Sequence, residues 1–290
     1  MLLSVAFALS LGAVPHRELP ATFLAGRAFV MPRVSSTRRL ALWIDSDGSG
    51  FLRSGLVSEL HLQRAAQNTA YFPPLIEPGF PPVTGNRGAL PILDDADVAA
   101  DPVFSGIDGQ LGWTWLAGRI WTIDYAGHRL YQDYSAPPYP SADVVPLEFD
   151  RAHRYPAMHI GIAGTSYRAA LDTAASVALS PAAVQRLGDG LPPIRAASFV
   201  PKRTFDAWHA AHPDWMYIPN AGAGGGVSLI RVPEVRAARI MFHDVWFSTR
   251  PNDDVFQCDT VDLKLGPTAF SRCAVTIDYV HDAAAFECSG

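Results

Sequence analysis

The 290-residue sequence is short of charge, of cysteine and of long apolar runs, and each shortage removes a class of function. Charged residues make up 18% of the chain, and the formal net charge of −5 has no concentrated basic run behind it. Arg38-Arg39 is the densest basic spot. It is far smaller than the Lys/Arg stripe that neutralises phosphates, so nucleic acid is excluded as a partner. Three cysteines, Cys258, Cys273 and Cys288, recur every 15 residues with no C-x-x-C pair. That spacing fits no zinc site and no catalytic thiol, and it leaves one disulfide or none, with the pairing open. The opening apolar run, residues 1–14, is too short to cross a bilayer, so no integral membrane span is expected. There is no G-x-S-x-G elbow, and the glycine cluster at 222–226 lacks the spacing of a dinucleotide fingerprint.

What is present is an ordinary core-forming composition, 49% hydrophobic, in a chain long enough for two lobes of about 130 residues each. Residues 1–14, "MLLSVAFALSLGAV", suit the apolar core of a secretory signal, with small residues at Ser10-Leu11-Gly12 and a polar turn from Pro15 to Glu18. The expectation is export to the periplasm or outside, with residues 1–24 as signal and lead; the other reading of this run is a buried strand.

The chain also repeats itself. "LGWTWLAGRIWTIDY" (111–125) aligns without a gap on "LGPTAFSRCAVTIDY" (265–279), 154 positions later. "LWIDSDGSGFLRSGLVSEL" (42–60) aligns on "AALDTAASVALSPAAVQRL" (169–187), 127 positions later. Asp45 meets Asp172, Ser46 meets Thr173, and Leu52, Val57 and Leu60 meet Leu179, Val184 and Leu187. The order is the same in both halves, which implies a duplicated lobe: residues 25–134, a proline-rich linker at 135–143, and residues 144–290. Each half reads as mainly β with short helices. Each ends in a hairpin built on Thr-Ile-Asp-Tyr, whose aspartates, Asp124 and Asp278, suit hydrogen bonding to turn backbone. The tryptophans at 113–121 suit core packing.

A hydrophobic strand ending in Asp-Thr/Ser, a small-residue turn, and a later apolar-Gly segment ("DGQLG", "DLKLG") resembles the retropepsin-like and pepsin-like aspartic peptidases, in the form that carries two lobes in one chain. The resemblance implies two pseudo-twofold-related acid-protease-like β-barrel lobes and an aspartic endopeptidase. Asp45 and Asp172 would form the catalytic dyad, with Ser46 and Thr173 bracing the opposite loops. It also implies a glycine-bearing flap over the substrate, for which Gly85 in one lobe and Gly224 and Gly225 in the other are the candidates. The substrate would be a peptide or protein, with no cofactor or metal, and a monomer would suffice. Two carboxylates close enough to share one proton supply both a base for water and an acid for the leaving nitrogen. The sequence departs from the family where glycine should follow Asp-Thr/Ser: Asp47 stands there in one lobe and Ala174 in the other. Asp47 adds a third carboxylate, which raises the pKa values of the dyad unless it turns to solvent. It is therefore the residue that favours the alternative reading, a catalytically inactive peptide-binding protein with the same fold.

Two metal readings are weaker. Asp45, Asp47, Ser49 and Gly50 open like a calcium loop, but the twelfth position, which needs glutamate, is Leu56. His209 and His212 lie three apart with no third ligand at a suitable spacing, as expected of a surface helix.

Overall fold

The computed structural model describes residues 16–133, 143–149, 155–252 and 260–289. The expected signal core, all of the proline-rich linker except Asp143, and Cys258 lie outside these residues. No helix among the described residues is long and apolar enough to cross a membrane.

Two eight-stranded sheets carry the two halves. At the centre of the first, Leu42–Ile44 lies parallel to Gly109–Leu111, which is antiparallel to Gly50–Arg53 on its other side. The second repeats the arrangement, with Thr165–Leu171 parallel to Leu263–Leu265 and Ser198–Pro201 beyond it. Leu42, Trp43 and Ile44 are all buried, as are Ala169, Ala170 and Leu171. Both faces of these strands are therefore covered, which is why they read as apolar runs and not as alternating ones.

A six-stranded sheet joins the halves. Its middle strands, Ile120–Asp124 and Cys273–Asp278, are the two Thr-Ile-Asp segments, paired antiparallel. Thr122 lies opposite Thr276, its own counterpart 154 positions later, and their hydroxyls are 2.7 Å apart. The pseudo-twofold axis therefore passes between these two threonines. Each strand turns back as a hairpin, onto Arg129–Asp133 and Ala283–Cys288. Asp124 accepts from the Gly127 N–H, and Asp278 accepts from the N–H groups of Val280 and His281. Cys273 and Cys288 lie opposite each other on the second hairpin and form a disulfide. Trp115 and Trp121 are fully buried with ring centroids 4.1 Å apart, and each donates its indole N–H to a backbone carbonyl.

The structure corrects the sequence reading at three places. Residues 16–24, assigned to the signal and lead, are strands of the fold: His16–Leu19 edges the six-stranded sheet and Ala21–Leu24 edges the first lobe. The match of Leu52, Val57 and Leu60 with Leu179, Val184 and Leu187 does not survive in space. Phe51 pairs with Gln110, and the residue that pairs with its counterpart Lys264 is Phe199, 148 positions after Phe51. The helix Ser54–Glu59 thus corresponds to Lys202–Ala211, and residues 176–196 are an insertion holding a two-stranded sheet and the helix Pro181–Leu187. Hydrogen-bonded register decides equivalence, and similar apolar spacing in two short helices misled the alignment. Lastly, residues 85–88 form a tight turn with left-handed backbone at Asn86 and Arg87 and not a flap hairpin, with Gly85 pressed against Thr114 and Trp113.

His209 and His212, in and just after the helix Lys202–Ala211, stack on Tyr217 and Trp215. Among the described residues no group of three or more His, Cys, Asp or Glu is placed to hold a metal ion.

Candidate active site

Asp45 and Asp172 each follow the end of a buried central strand. Their own N–H groups donate to Leu111 O (2.9 Å) and Leu265 O (3.0 Å), so the Leu-Gly segments anchor both aspartates in the same way. The side chains of Ser46 and Thr173 cross between the lobes. Ser46 Oγ donates to Leu171 O and accepts from the Thr173 N–H at 3.0 Å. Thr173 Oγ1 donates to Ile44 O and accepts from the Ser46 N–H, both at 3.0 Å. These four bonds are related by the pseudo-twofold axis and bring the two aspartate loops together.

All members of that lattice are buried, so Ser46→Ala strands the Thr173 N–H and the Leu171 carbonyl. The expected cost is about 1–3 kcal/mol for each stranded group, read as a fall in denaturant midpoint. Thr173→Val is expected to lose a comparable amount.

The two carboxylates are 8% and 5% exposed. Asp45 Oδ1 accepts from the Asp47 N–H at 2.9 Å, and Oδ2 accepts from Gln110 Nε2 at 2.6 Å. Asp172 Oδ1 accepts from the Ala174 N–H at 2.9 Å. Asp47 does not turn to solvent. Its side chain is 8% exposed and is ion-paired with Lys264 Nζ of the other lobe, itself 8% exposed. These carboxylates face N–H and ammonium donors, an arrangement unlike a calcium loop.

Burial, followed by the charge of Asp47, raises the Asp45 carboxyl to about 7. Burial and the charges of Asp47 and Asp45 hold Asp172 well above the usual carboxylate range. Lys264 and the backbone donors pull the other way on both groups. Tyr125 and Tyr279, the last residues of the two Thr-Ile-Asp-Tyr segments, have buried hydroxyls held neutral, first by burial and then by nearby carboxylates, Asp172 for Tyr125 and Asp45 and Asp47 for Tyr279.

Between about pH 4 and pH 7 the folded chain therefore keeps a proton on Asp45 that the unfolded chain has released. Stability from this group is fully present below the unfolded pKa and falls as pH rises, by about 1.4 kcal/mol per pH unit for one proton. Denaturant titrations of wild type and Asp45→Asn are expected to differ by this slope.

Gln110 and Lys264 bond to Asp45 and Asp47, and matching identities passes them over. They occupy the same place, one residue before Leu-Gly, but differ in type. The usable signal was a polar side chain inside a short, otherwise buried strand. Of the flap candidates, Gly224 and Gly225 lie in the loop between Tyr217–Ile218 and Leu229–Ala237. With Val177, Ala178 and Arg250 they face Asp101–Val103 of the first lobe across a cavity of about 210 Å³ that neither aspartate lines. A larger cavity, about 670 Å³, lies beside the disulfide and also excludes both aspartates.

No family model and no curated protein matches the chain. Among solved structures it is similar to an aspartic proteinase from Irpex lacteus, with a TM-score of 0.54 and 10% identity over 95% of this chain and 98% of that one. It is also similar to conglutin gamma, a basic 7S globulin from lupine seeds, with a TM-score of 0.52 and 8% identity over 96% of each chain. The fold is therefore the two-lobed acid-protease fold. One of these structures is described as a proteinase and the other as a seed globulin, so the fold alone does not decide activity.

Proposed function

We propose that this chain is an aspartic endopeptidase, with Asp45 and Asp172 activating a water between them for attack on a peptide carbonyl. The observation that carries this reading is the symmetric Ser46–Thr173 lattice, which brings together two buried carboxylates. The donors around Asp45 favour its ionised form, because hydrogen bonds to a carboxylate stabilise the charge. Asp45, once ionised at and above about pH 7, is accordingly the base that takes a proton from water. Asp172, for which the structure gives a backbone donor and no side-chain donor, is the acid that protonates the leaving nitrogen. Both lobes belong to one chain, so a monomer holds a complete dyad.

The second reading, a peptide-binding protein that does not cleave, is favoured by one observation: the carboxylates are almost covered. Ala174, Ala178 and Ile194 of the second lobe pack in one cluster with Phe29, Trp43, Phe51 and Phe104 of the first. Digestion of a peptide library, with products identified by mass spectrometry, separates the two. Cleavage by wild type that disappears in Asp45→Asn and Asp172→Asn supports the peptidase. Peptide binding without cleavage by the folded wild type supports the binding protein.

A further inference from the structure

Asp47 stands where glycine is expected and would place a third negative charge beside the dyad. The structure supplies its counterpart. Lys264 lies in the strand Leu263–Leu265 and pairs in register with Ala170, two residues before Asp172. Gln110 lies in Gly109–Leu111 and pairs with Trp43, two residues before Asp45. Alternate residues of a strand share a face, so each of these side chains emerges on the side of its own lobe's aspartate. Gln110 uses that position to donate to Asp45. Lys264 has the same approach to Asp172, yet its ammonium is bonded across the lobe boundary to Asp47 Oδ2.

We propose that Asp47 and Lys264 are positioning residues, with Asp47 holding the Lys264 ammonium away from the dyad so that Asp45 and Asp172 keep one shared proton near neutral pH. The proposal rests on the dyad reading above. A cation released among buried carboxylates would ionise both of them, and a doubly ionised dyad has no acid for the leaving group. A lone Asp47 would do the opposite and keep both protonated. Paired, the two charges offset each other in part, with Asp47 the stronger on both carboxyls, and they tie one lobe to the other. The titratable and charged groups acting on the dyad are Asp47, Lys264, Tyr125 and Tyr279, and the tyrosines stay neutral throughout the range tested.

The test is a double-variant cycle followed by carbon-13 NMR titration of aspartate carboxyls, which needs a folded protein but no turnover, together with pH–rate profiles. Asp47→Asn is expected to shift the titration of Asp45 and Asp172 toward acid by about one to three pH units. Lys264→Gln, which gives the second lobe the residue of the first, is expected to shift it upward by a smaller amount. Lys264→Met keeps the buried stem, is expected to move the titration in the same direction, and guards against a folding defect. The double variant Asp47→Asn/Lys264→Gln is expected to lie between the two single variants and on the acid side of wild type, since the two charges offset each other in part. Shifts of the same sign, a double variant that falls outside the range of the two single variants, or no shift at all would overturn the proposal. If the titrations move as expected while wild type cleaves nothing, the peptidase reading fails and the role of the pair stands. If wild type cleaves and the titrations do not move, the proposal fails and the peptidase reading stands.

Discussion

Asp45→Asn is expected to lower peptide cleavage by about 10³-fold or more, within the 10²–10⁴-fold range of general acid–base catalysis or above it. The amide fills the carboxylate's volume; its one oxygen keeps the Asp47 N–H, and the Gln110 amide has to turn to accept from its NH2, but it has no basic lone pair for the proton of water. The loss belongs in kcat, with KM nearly unchanged, because the group removed acts in the transition state. Asp172→Asn is expected to fall as far for the complementary reason, the loss of the acid. Residues that act as one unit are non-additive, so the double variant should be slower than either single variant by less than about 10-fold. A residual rate in one single variant near that of wild type would mean that Asp45 and Asp172 do not work as a pair.

The second large effect is expected at the glycines of the repeated Leu-Gly segments. A Cβ on Gly112 would overlap the Gly48 carbonyl oxygen, and one on Gly266 would overlap the Ala197 carbonyl oxygen. The backbone angles of Gly112, φ −112° and ψ −152°, are open to any residue, so space is the obstacle and not conformation. Overpacking usually costs about 1–3 kcal/mol, and here the obstructing atoms are backbone that no rotamer change can move, which puts Gly112→Ala at the upper end or beyond. Gly48 lies three residues after Asp45, and the Trp113 N–H donates to its carbonyl at 2.8 Å. A shift there displaces the aspartate loop, and a misplacement of about 1 Å at reacting groups costs about 10²-fold in rate. Gly266→Ala is expected to behave alike. Gly224→Ala, whose Cβ would meet nothing within 4 Å, is the control, with a change below about 0.5 kcal/mol. Thermal melts and kcat/KM for the three variants check this.

The paired aspartates, the bracing hydroxyls and the closing hairpins were legible because each is an identity or near-identity between the halves. The axis even falls between two matched threonines, Thr122 and Thr276. The Asp47–Lys264 pair was not legible, because a contact between residues 217 positions apart leaves no mark in either segment. Asp47 in isolation looked like a defect to be turned to solvent, and the ammonium that makes it tolerable comes from the other lobe. The insertion at 176–196 was hidden by the opposite fault. Short amphipathic helices share leucine and valine spacing without being equivalent, and the hydrogen-bonded register of Phe51 and Phe199 was needed to separate them. The tight turn at 85–88 shows the limit of reading glycine as mobility, since Gly85 is there to let the chain approach Thr114 closely.

The most direct test of the central claim is digestion of a peptide library by the folded wild type in oxygen-18 water, from pH 3 to 8, with an added amine as competing nucleophile. Water activated by a carboxylate dyad predicts cleavage with one oxygen-18 in each new C-terminal carboxyl and no amide formed with the amine. No cleavage at any pH, or capture of the acyl portion by the amine, would contradict it.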